Sequence, residues 1–456
     1  MGKYDAGEAH KMSPQDLVAA GKALRDRVPL ALHADPKLRS GRDPVSILRQ
    51  ADAGRLPELV PIRYGRMLQS PFAFFRGAAG IMVADLSHTS ATGLTVQACG
   101  DCHLKNFGGF ATPERSIVFD INDFDETLPA PWEWDIKRLA ASFVLAVRER
   151  GLAKGTARAA TLACVRTYRK GIRAFSKLDP LAIWYAKLSS EEFLEYLPAS
   201  DRDRIARRIA KTGAQRGSDV DYPKLAEAVE GKVHIRDSPP LIFHPDVAAV
   251  ADFDRRVENI LKDYRESLPD DRRSLFDRYH FVDAAIKVVG VGSVGTRCWV
   301  ALFTSAANEP LFLQFKQANA SVLEPFAGKS RYAHHGERVV MGQRLMQSAS
   351  DIFLGWTTGP NGEFYVRQLR DAKIGANVET FDERLFDAYA RACGWNLARS
   401  HAKSGNARMM AGYLGKSDVF DQAIANFAEA YADQTERDHT ALAKAVRAGE
   451  VSAFTV

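Results

Sequence analysis

An α+β fold is predicted, in which a β-rich lobe interrupts a helical one, and three features of the sequence predict it. β-branched and aromatic residues concentrate between Ala284 and Arg370. Apolar residues recur at helical spacing on both sides of that stretch, at Trp134–Arg148, Thr156–Phe175, Leu385–Lys403 and Asp418–Val446. A loop rich in Gly, Asp, His and Asn lies between two short β-like runs near residue 100, well ahead of the β-rich stretch.

The 456 residues exceed what one ordinary core holds. Four units are expected: an N-terminal helical segment (1–90), a helical unit carrying the loop near residue 100 plus an insertion (91–280), the β-rich unit (281–373) and C-terminal helices that complete the helical lobe (374–456). A composition 46% hydrophobic and 26% charged excludes long disorder. The net charge of +6, without a long Lys/Arg block, suits an anionic small ligand such as a nucleotide and gives no reason to expect nucleic acid. Five cysteines form an odd, sparse set, which points to a reducing compartment. No signal peptide and no membrane-spanning apolar run is visible, so a cytoplasmic protein without a membrane partner is expected. The oligomeric state is not legible.

Ser13 and Pro14 predict a capped helix over Pro14–Arg27. The apolar run SPFAFFRGAAGIMVADL within Arg63–Leu86 is expected to be buried. For Arg63, Arg66 and Arg76, buried salt bridges are expected ahead of anion binding. Residues 190–280 are charged and interrupted: 201–216 reads as a solvated helix face and 236–245 as a Pro-rich connector.

The first candidate site is C99-G-D-C-H-L-K-N-F-G108, which follows a short strand at Leu94–Ala98. After a second β-like run at Ser116–Phe119 comes I121-N-D-F-D-E126. Phosphoryl transfer needs a carboxylate to orient or deprotonate the acceptor hydroxyl, a role open to Asp101. It also needs hard oxygen ligands for Mg²⁺, which Asn106 and Asp123 can supply. Asp125 reads either as a further metal ligand or as the cap of the next turn. Phe124 reads as core. Asp, Asn and Gly are also ordinary turn residues, so the compound order of strand, loop, strand and acidic turn carries the reading. Cys99 and Cys102 lack a second Cys/His pair at zinc spacing, and the loop chemistry explains them better.

The second candidate site is Gly290, Gly292 and Gly295 in IKVVGVGSVGTRCWVALF. A dinucleotide-binding glycine loop opens a helix. Here β-like sequence follows, then a turn at Ala307–Pro310, then LFLQFK ending in Lys316. That order suits a loop folded over phosphates, with Lys316 reaching them from the third strand. A buried lysine needs a carboxylate. Glu337, opening the helix GERVVMGQRLMQ, is preferred and Glu324 is second. The run 362–373 reads as a strand entering a hinge whose backbone, near Gln368–Arg370, meets a base.

G-D-x-H-x-x-N followed by D-F-D and then Trp134-Asp135 resembles the aminoglycoside and choline kinase branch of the protein-kinase-like superfamily. The resemblance implies that His103 stands where that superfamily's catalytic-loop Lys stands, and that Asp135 braces the loop backbone. The order is inverted, however: the glycine loop and Lys316 follow the catalytic segment. YARACGWNLARSHAK (389–403) resembles the helix that normally precedes that segment, so a circularly permuted two-lobe fold is expected. The chain also resembles the bacterial domain of unknown function 2252 family, through SPFAFFRG, CGDCHLKNFG, DINDFDETLPAPWEWDIKRLA, GVGSVGTRC, LQFKQA, GWNLARSHAKSG and YADQTERD. The expected function is an ATP- and Mg²⁺-dependent phosphotransferase acting on a hydroxyl acceptor, a small molecule by analogy. Nucleotidyl transfer on the same fold, or a nucleotide-binding module without turnover, are the alternatives.

Overall fold

The computed structural model describes residues 12–213, 222, 225–229, 232–239, 241–244, 253–288, 290, 292, 294–369 and 373–454. The ends of the predicted 201–216 helix and of the hinge, at residues 214–216 and Arg370, lie outside them, as do parts of the Pro-rich connector.

The architecture is a mixed α/β fold with several antiparallel sheets. Helix α1 (Pro14–Arg27) begins as predicted, with the Ser13 Oγ accepting the Asp16 N–H at 3.1 Å. The apolar run after residue 60 forms short helices, among them α2 (Val60–Met67) and α3 (Pro71–Gly77). Strand β1 (Thr95–Ala98) precedes the first candidate loop, and β2 (Phe107–Ala111) and β3 (Ile117–Ile121) form a hairpin after it. Strand β4 (Leu128–Pro131) returns to pair with β1 and leads into helix α4 (Trp132–Glu149), which is followed by α5 (Lys154–Phe175). Helix α4 is apolar around most of its circumference because it runs through the core, with Leu139, Phe143 and Val147 fully buried.

The β-rich stretch forms a six-stranded antiparallel sheet. In space its order is β9 (Gly355–Gly359), β10 (Gly362–Gln368), β8 (Pro310–Ala318), β7 (Cys298–Ser305), β6 (Tyr279–Lys287) and β5 (Ile242–Phe243). Its central strands read as continuous apolar runs because both faces are covered. Leu311, Leu313 and Phe315 pack with Tyr264 and Leu268, which helix α6 (Phe253–Ser267) and the residue after it supply. Phe312, Val300 and Leu302 pack on the other face with Leu369, Ile235 and Ala226. Alternation then assigns Lys316 and Gln314 to the second face.

Helix α7 (His335–Met346) packs against this sheet, and helices α8 (Glu383–Ser404), α9 (Ala407–Leu414) and α10 (Val419–Arg447) complete the core. The end of α8 abuts β1: the Ser404 Oγ accepts the Gln97 N–H at 3.1 Å. Among the described residues no helix is long and apolar enough to cross a membrane.

One buried ion pair ties three elements together. On β3, Asp120 accepts from Arg399 of α8 at 2.7 Å, and both side chains are fully buried. Its other oxygen accepts the N–H and the hydroxyl of Ser348, just beyond α7. Arg399→Met would leave a buried carboxylate without its cation. Equilibrium denaturant unfolding is expected to show a loss of roughly 3–5 kcal/mol, and a loss below about 1 kcal/mol would mean that water reaches Asp120.

Candidate functional site

Asp135, in the first turn of α4, fixes the loop 99–106. Its carboxylate accepts the N–H groups of Cys99 at 2.6 Å and Gly100 at 3.0 Å. His401 of α8 lies 3.2 Å from the same carboxylate, and its other ring nitrogen meets the Tyr168 hydroxyl at 2.8 Å. Gly100 has φ +84°, and a Cβ there would stand 2.6 Å from the Glu126 carbonyl oxygen, so only glycine fits the turn.

Asp101 is held from the other side. The Arg138 Nε donates to its Oδ1 at 2.7 Å, and Arg138 spends a further N–H on the Phe75 carbonyl. The His103 Nε2 stands 3.8 Å from the Asp101 Oδ2. Burial pushes the Asp101 carboxyl up, against the lowering pull of Arg138 and Arg76. Burial, reinforced by Arg76 and Arg138, drives His103 well below its usual range, so it is a neutral imidazole. The Asn106 amide N–H donates to the Asp101 carbonyl at 2.8 Å.

Asp123 and Asp125 follow β3. Phe124 between them is buried in the main core, as predicted. The Lys316 ammonium forms an ion pair with Asp125 and lies 3.9 Å from Asp123. The Tyr365 hydroxyl donates to Asp125 at 2.8 Å. Burial works to lower the Lys316 pKa, but the two aspartates hold it well above the usual lysine range. Burial and the charge of Asp125 push the Asp123 carboxyl up, whereas at Asp125 burial is outweighed by Lys316, the Tyr365 hydroxyl and Arg367 together, which keep it low.

The expected partner of Lys316 is corrected here. Among the described residues its ion pairs run to Asp125 and Asp123, not to Glu337 or Glu324. Adjacent helical positions face directions about 100° apart, and in α7 the inward position belongs to Arg338. Its guanidinium donates to the carbonyls of Thr127, Asp125 and Asn319.

The glycine segment joins two antiparallel strands, β6 and β7, and β7 pairs with β8 so that Cys298 lies opposite Lys316. Gly290 and Gly295 have φ +59° and +88°. Val289, Val291 and Ser293 lie outside the described residues. The segment rests on the N-terminal helices: Arg66 donates to the Gly290 carbonyl at 2.6 Å, Arg55 to that of Val294 at 2.5 Å, and the Leu56 N–H to that of Gly295 at 2.7 Å. A Cβ on Gly292 would stand 3.2 Å from the Arg76 carbonyl oxygen. Arg63 forms the expected buried pair, with Asp52 at 2.7 Å.

Oxygen donors of the kind a hard divalent cation takes come together here, though among the described residues no three of His, Cys, Asp and Glu are grouped as a metal site. The carboxyls of Asp123 and Asp101 are both pushed up by carboxylate neighbours as well as by burial, a repulsion that a cation relieves. With its N–H committed, Asn106 keeps its amide oxygen outside every hydrogen bond among the described residues. Arg138, Tyr365 and Arg367 were missed from sequence. Arg367 lies opposite Gln314, donates to it at 3.1 Å and acts on Asp123 by its charge.

A protein family described as "Uncharacterized protein conserved in bacteria (DUF2252)" matches over residues 55–445, which contain all of these groups. No curated protein and no solved structure matches the chain.

Glu126 gives a pH test of the geometry. Its carboxylate accepts the Val322 N–H at 2.7 Å, yet burial raises its pKa from 4.5 to about 7. The native state therefore holds more protons than the unfolded chain between these values, and stability falls as pH rises through that window. Glu126→Gln is expected to stabilise the protein by about 1–2 kcal/mol at pH near 8, with the gain vanishing below pH about 4.5. Parallel denaturant titrations at the two pH values check this, and an equal gain at both would refute the charge argument.

Proposed function

The chain belongs to the DUF2252 family, and within it we propose that this protein is a Mg²⁺-dependent phosphotransferase that uses ATP and a hydroxyl acceptor. One observation carries the reading: a buried lysine from the six-stranded sheet meets the Asp123–Asp125 turn beside Asp101. The strand–glycine loop–strand–lysine order, and the approach of the end of α8 to β1, support a protein-kinase-like two-lobe fold, circularly permuted between α8 and β1.

Asn106 and Asp123, with Asp125 once Lys316 turns to phosphate, would hold Mg²⁺, which neutralises phosphate charge when bound. Lys316 would steady the phosphates beneath Gly290–Gly295. Arg138 occupies the Asp101 Oδ1, leaving Oδ2 for the acceptor hydroxyl. The acceptor oxygen would give its proton to Asp101 and form a bond to the γ-phosphorus. The bond from that phosphorus to the bridging oxygen breaks, and ADP leaves with the electron pair. The raised carboxyl of Asp101 suits it to take that proton. Asp135 would act through the loop it braces, as a positioning residue.

A second reading, nucleotidyl transfer, is favoured by Arg367. This second cation on the Lys316 face extends positive charge past Lys316, where phosphates would lie if the nucleotide bound reversed.

The test uses the full chain with Mg²⁺, hydroxyl metabolites and ATP labelled at either the α- or the γ-phosphate. Transfer of the γ label is expected, with a loss of at least about 100-fold in Asp101→Asn and in Asp123→Asn. Transfer of the α label would select the second reading. Transfer that survives both substitutions would end the assignment of roles, and tight ATP binding without transfer would leave a binding module.

A further inference from the structure

Five arginines converge on the glycine segment and the Asp101 loop, and four have their guanidinium groups committed. Arg55 donates to the Ala51 and Val294 carbonyls, and Arg63 to Asp52 and the Gly77 carbonyl. Arg66 donates to the Gly290 carbonyl, and Arg138 to Asp101 and the Phe75 carbonyl. Arg76, at the end of α3, differs. Among the described residues its guanidinium makes no hydrogen bond or ion pair, and its Nε is buried without a partner. The side chain is half-buried, so a ligand can reach its guanidinium, and the unmet Nε costs free energy that a bound oxyanion would recover.

Its surroundings say which side of the site it serves. The carboxylate whose charge acts most strongly on Arg76 is Asp101, ahead of Glu379 and Glu149. Arg76 in turn acts on Asp101 and His103. The principal charges acting on Lys316 and the Asp123–Asp125 pair are one another's, Arg367 and Asp101. Contacts agree: the carbonyl of its neighbour Phe75 accepts from Arg138, which holds Asp101, so Arg76 stands with the group that would receive the acceptor. Its backbone carbonyl lies against Gly292, so it sits under the edge of the glycine segment.

We infer that Arg76 is the anchor for an oxyanion on the acceptor, so that the substrate is a hydroxyl compound carrying a carboxylate or phosphate group. Arg76 would bind this group through charge-assisted hydrogen bonds while the hydroxyl lies at the Asp101 Oδ2. Specificity follows from the same charge, because a neutral alcohol would leave the buried Nε unpaired. The inference builds on the phosphotransferase reading, but its oxyanion site can be tested without turnover.

The first arm titrates inorganic phosphate into the full chain, free of nucleotide, and follows binding by calorimetry. Arg76→Gln is expected to weaken binding at least about tenfold, while Arg76→Lys keeps part of it. Unchanged phosphate binding in Arg76→Gln overturns the inference. The second arm compares ADP release with paired acceptors, glycerol against glycerol 3-phosphate and glycerate. The charged members are expected to be favoured, with KM raised about tenfold by Arg76→Gln and MgATP affinity unchanged. A fall in MgATP affinity instead would assign Arg76 to the nucleotide's own phosphate and overturn the acceptor role. Phosphate binding that depends on Arg76 in a protein that never binds MgATP would sink the phosphotransferase reading and keep the oxyanion site.

Discussion

The rest of the site depends on the meeting of Lys316 with Asp125 and Asp123. A lysine only 3% exposed is tolerated because two carboxylates and the Tyr365 ring and hydroxyl surround its charge. Removing Lys316 would leave two half-buried carboxylates side by side, and removing Asp125 would leave the lysine only Asp123 at 3.9 Å. The ion pair also fixes how the six-stranded sheet sits against the turn after β3. Strand register decides whether it can form. Lys316 lies opposite Cys298 and Tyr365, on the face away from α6. A slip by one residue would turn the lysine toward Tyr264 and Leu268 and bring Phe315 to the aspartates.

Buried polar groups hold the other half of the site in place, and each spans distant parts of the chain. Asp135 secures the loop before β2, Arg338 grips the carbonyls after Asp123, and Asp120 joins β3 to α7 and α8. Such contacts add less net stability than apolar packing, but they permit few alternative arrangements. A constellation meant to hold charged ligands gains from that rigidity, because groups fixed in advance need not be ordered during binding.

Local physics made much of the fold legible. Ser13 and Pro14 announced α1, period 3.6 located α4, α5, α8 and α10, and the flanks of the glycine loop identified a strand–loop–strand unit. Helix α6 was legible but overlooked: Phe253, Val257, Ile260, Leu261 and Tyr264 lie at helical spacing within a charged stretch read as interrupted. The partner of Lys316 was misread for a different reason. Glu337 and Arg338 are neighbours in sequence, and only the orientation of α7 decides which faces inward. Arg138, Tyr365 and Arg367 join the site across 37, 240 and 245 residues of chain, and no local pattern marks such contacts.

The late position of the glycine segment in the chain has a structural consequence. This segment is held by Arg55 and Leu56, just ahead of α2, and by Arg66 within it, all more than two hundred positions earlier. The hold falls on backbone carbonyls. In a trans peptide the C=O and the N–H point in opposite directions. Tying the Val294 carbonyl to Arg55 therefore directs the Gly295 N–H away from the N-terminal segment. One set of contacts positions the loop and sets which way that amide faces. Arg76 continues the same stretch of chain, so the segment that fixes the loop also delivers the unpaired guanidinium to Asp101. The loop and the proposed anion site thus rest on one stretch of chain, residues 55–76, through α2 and α3.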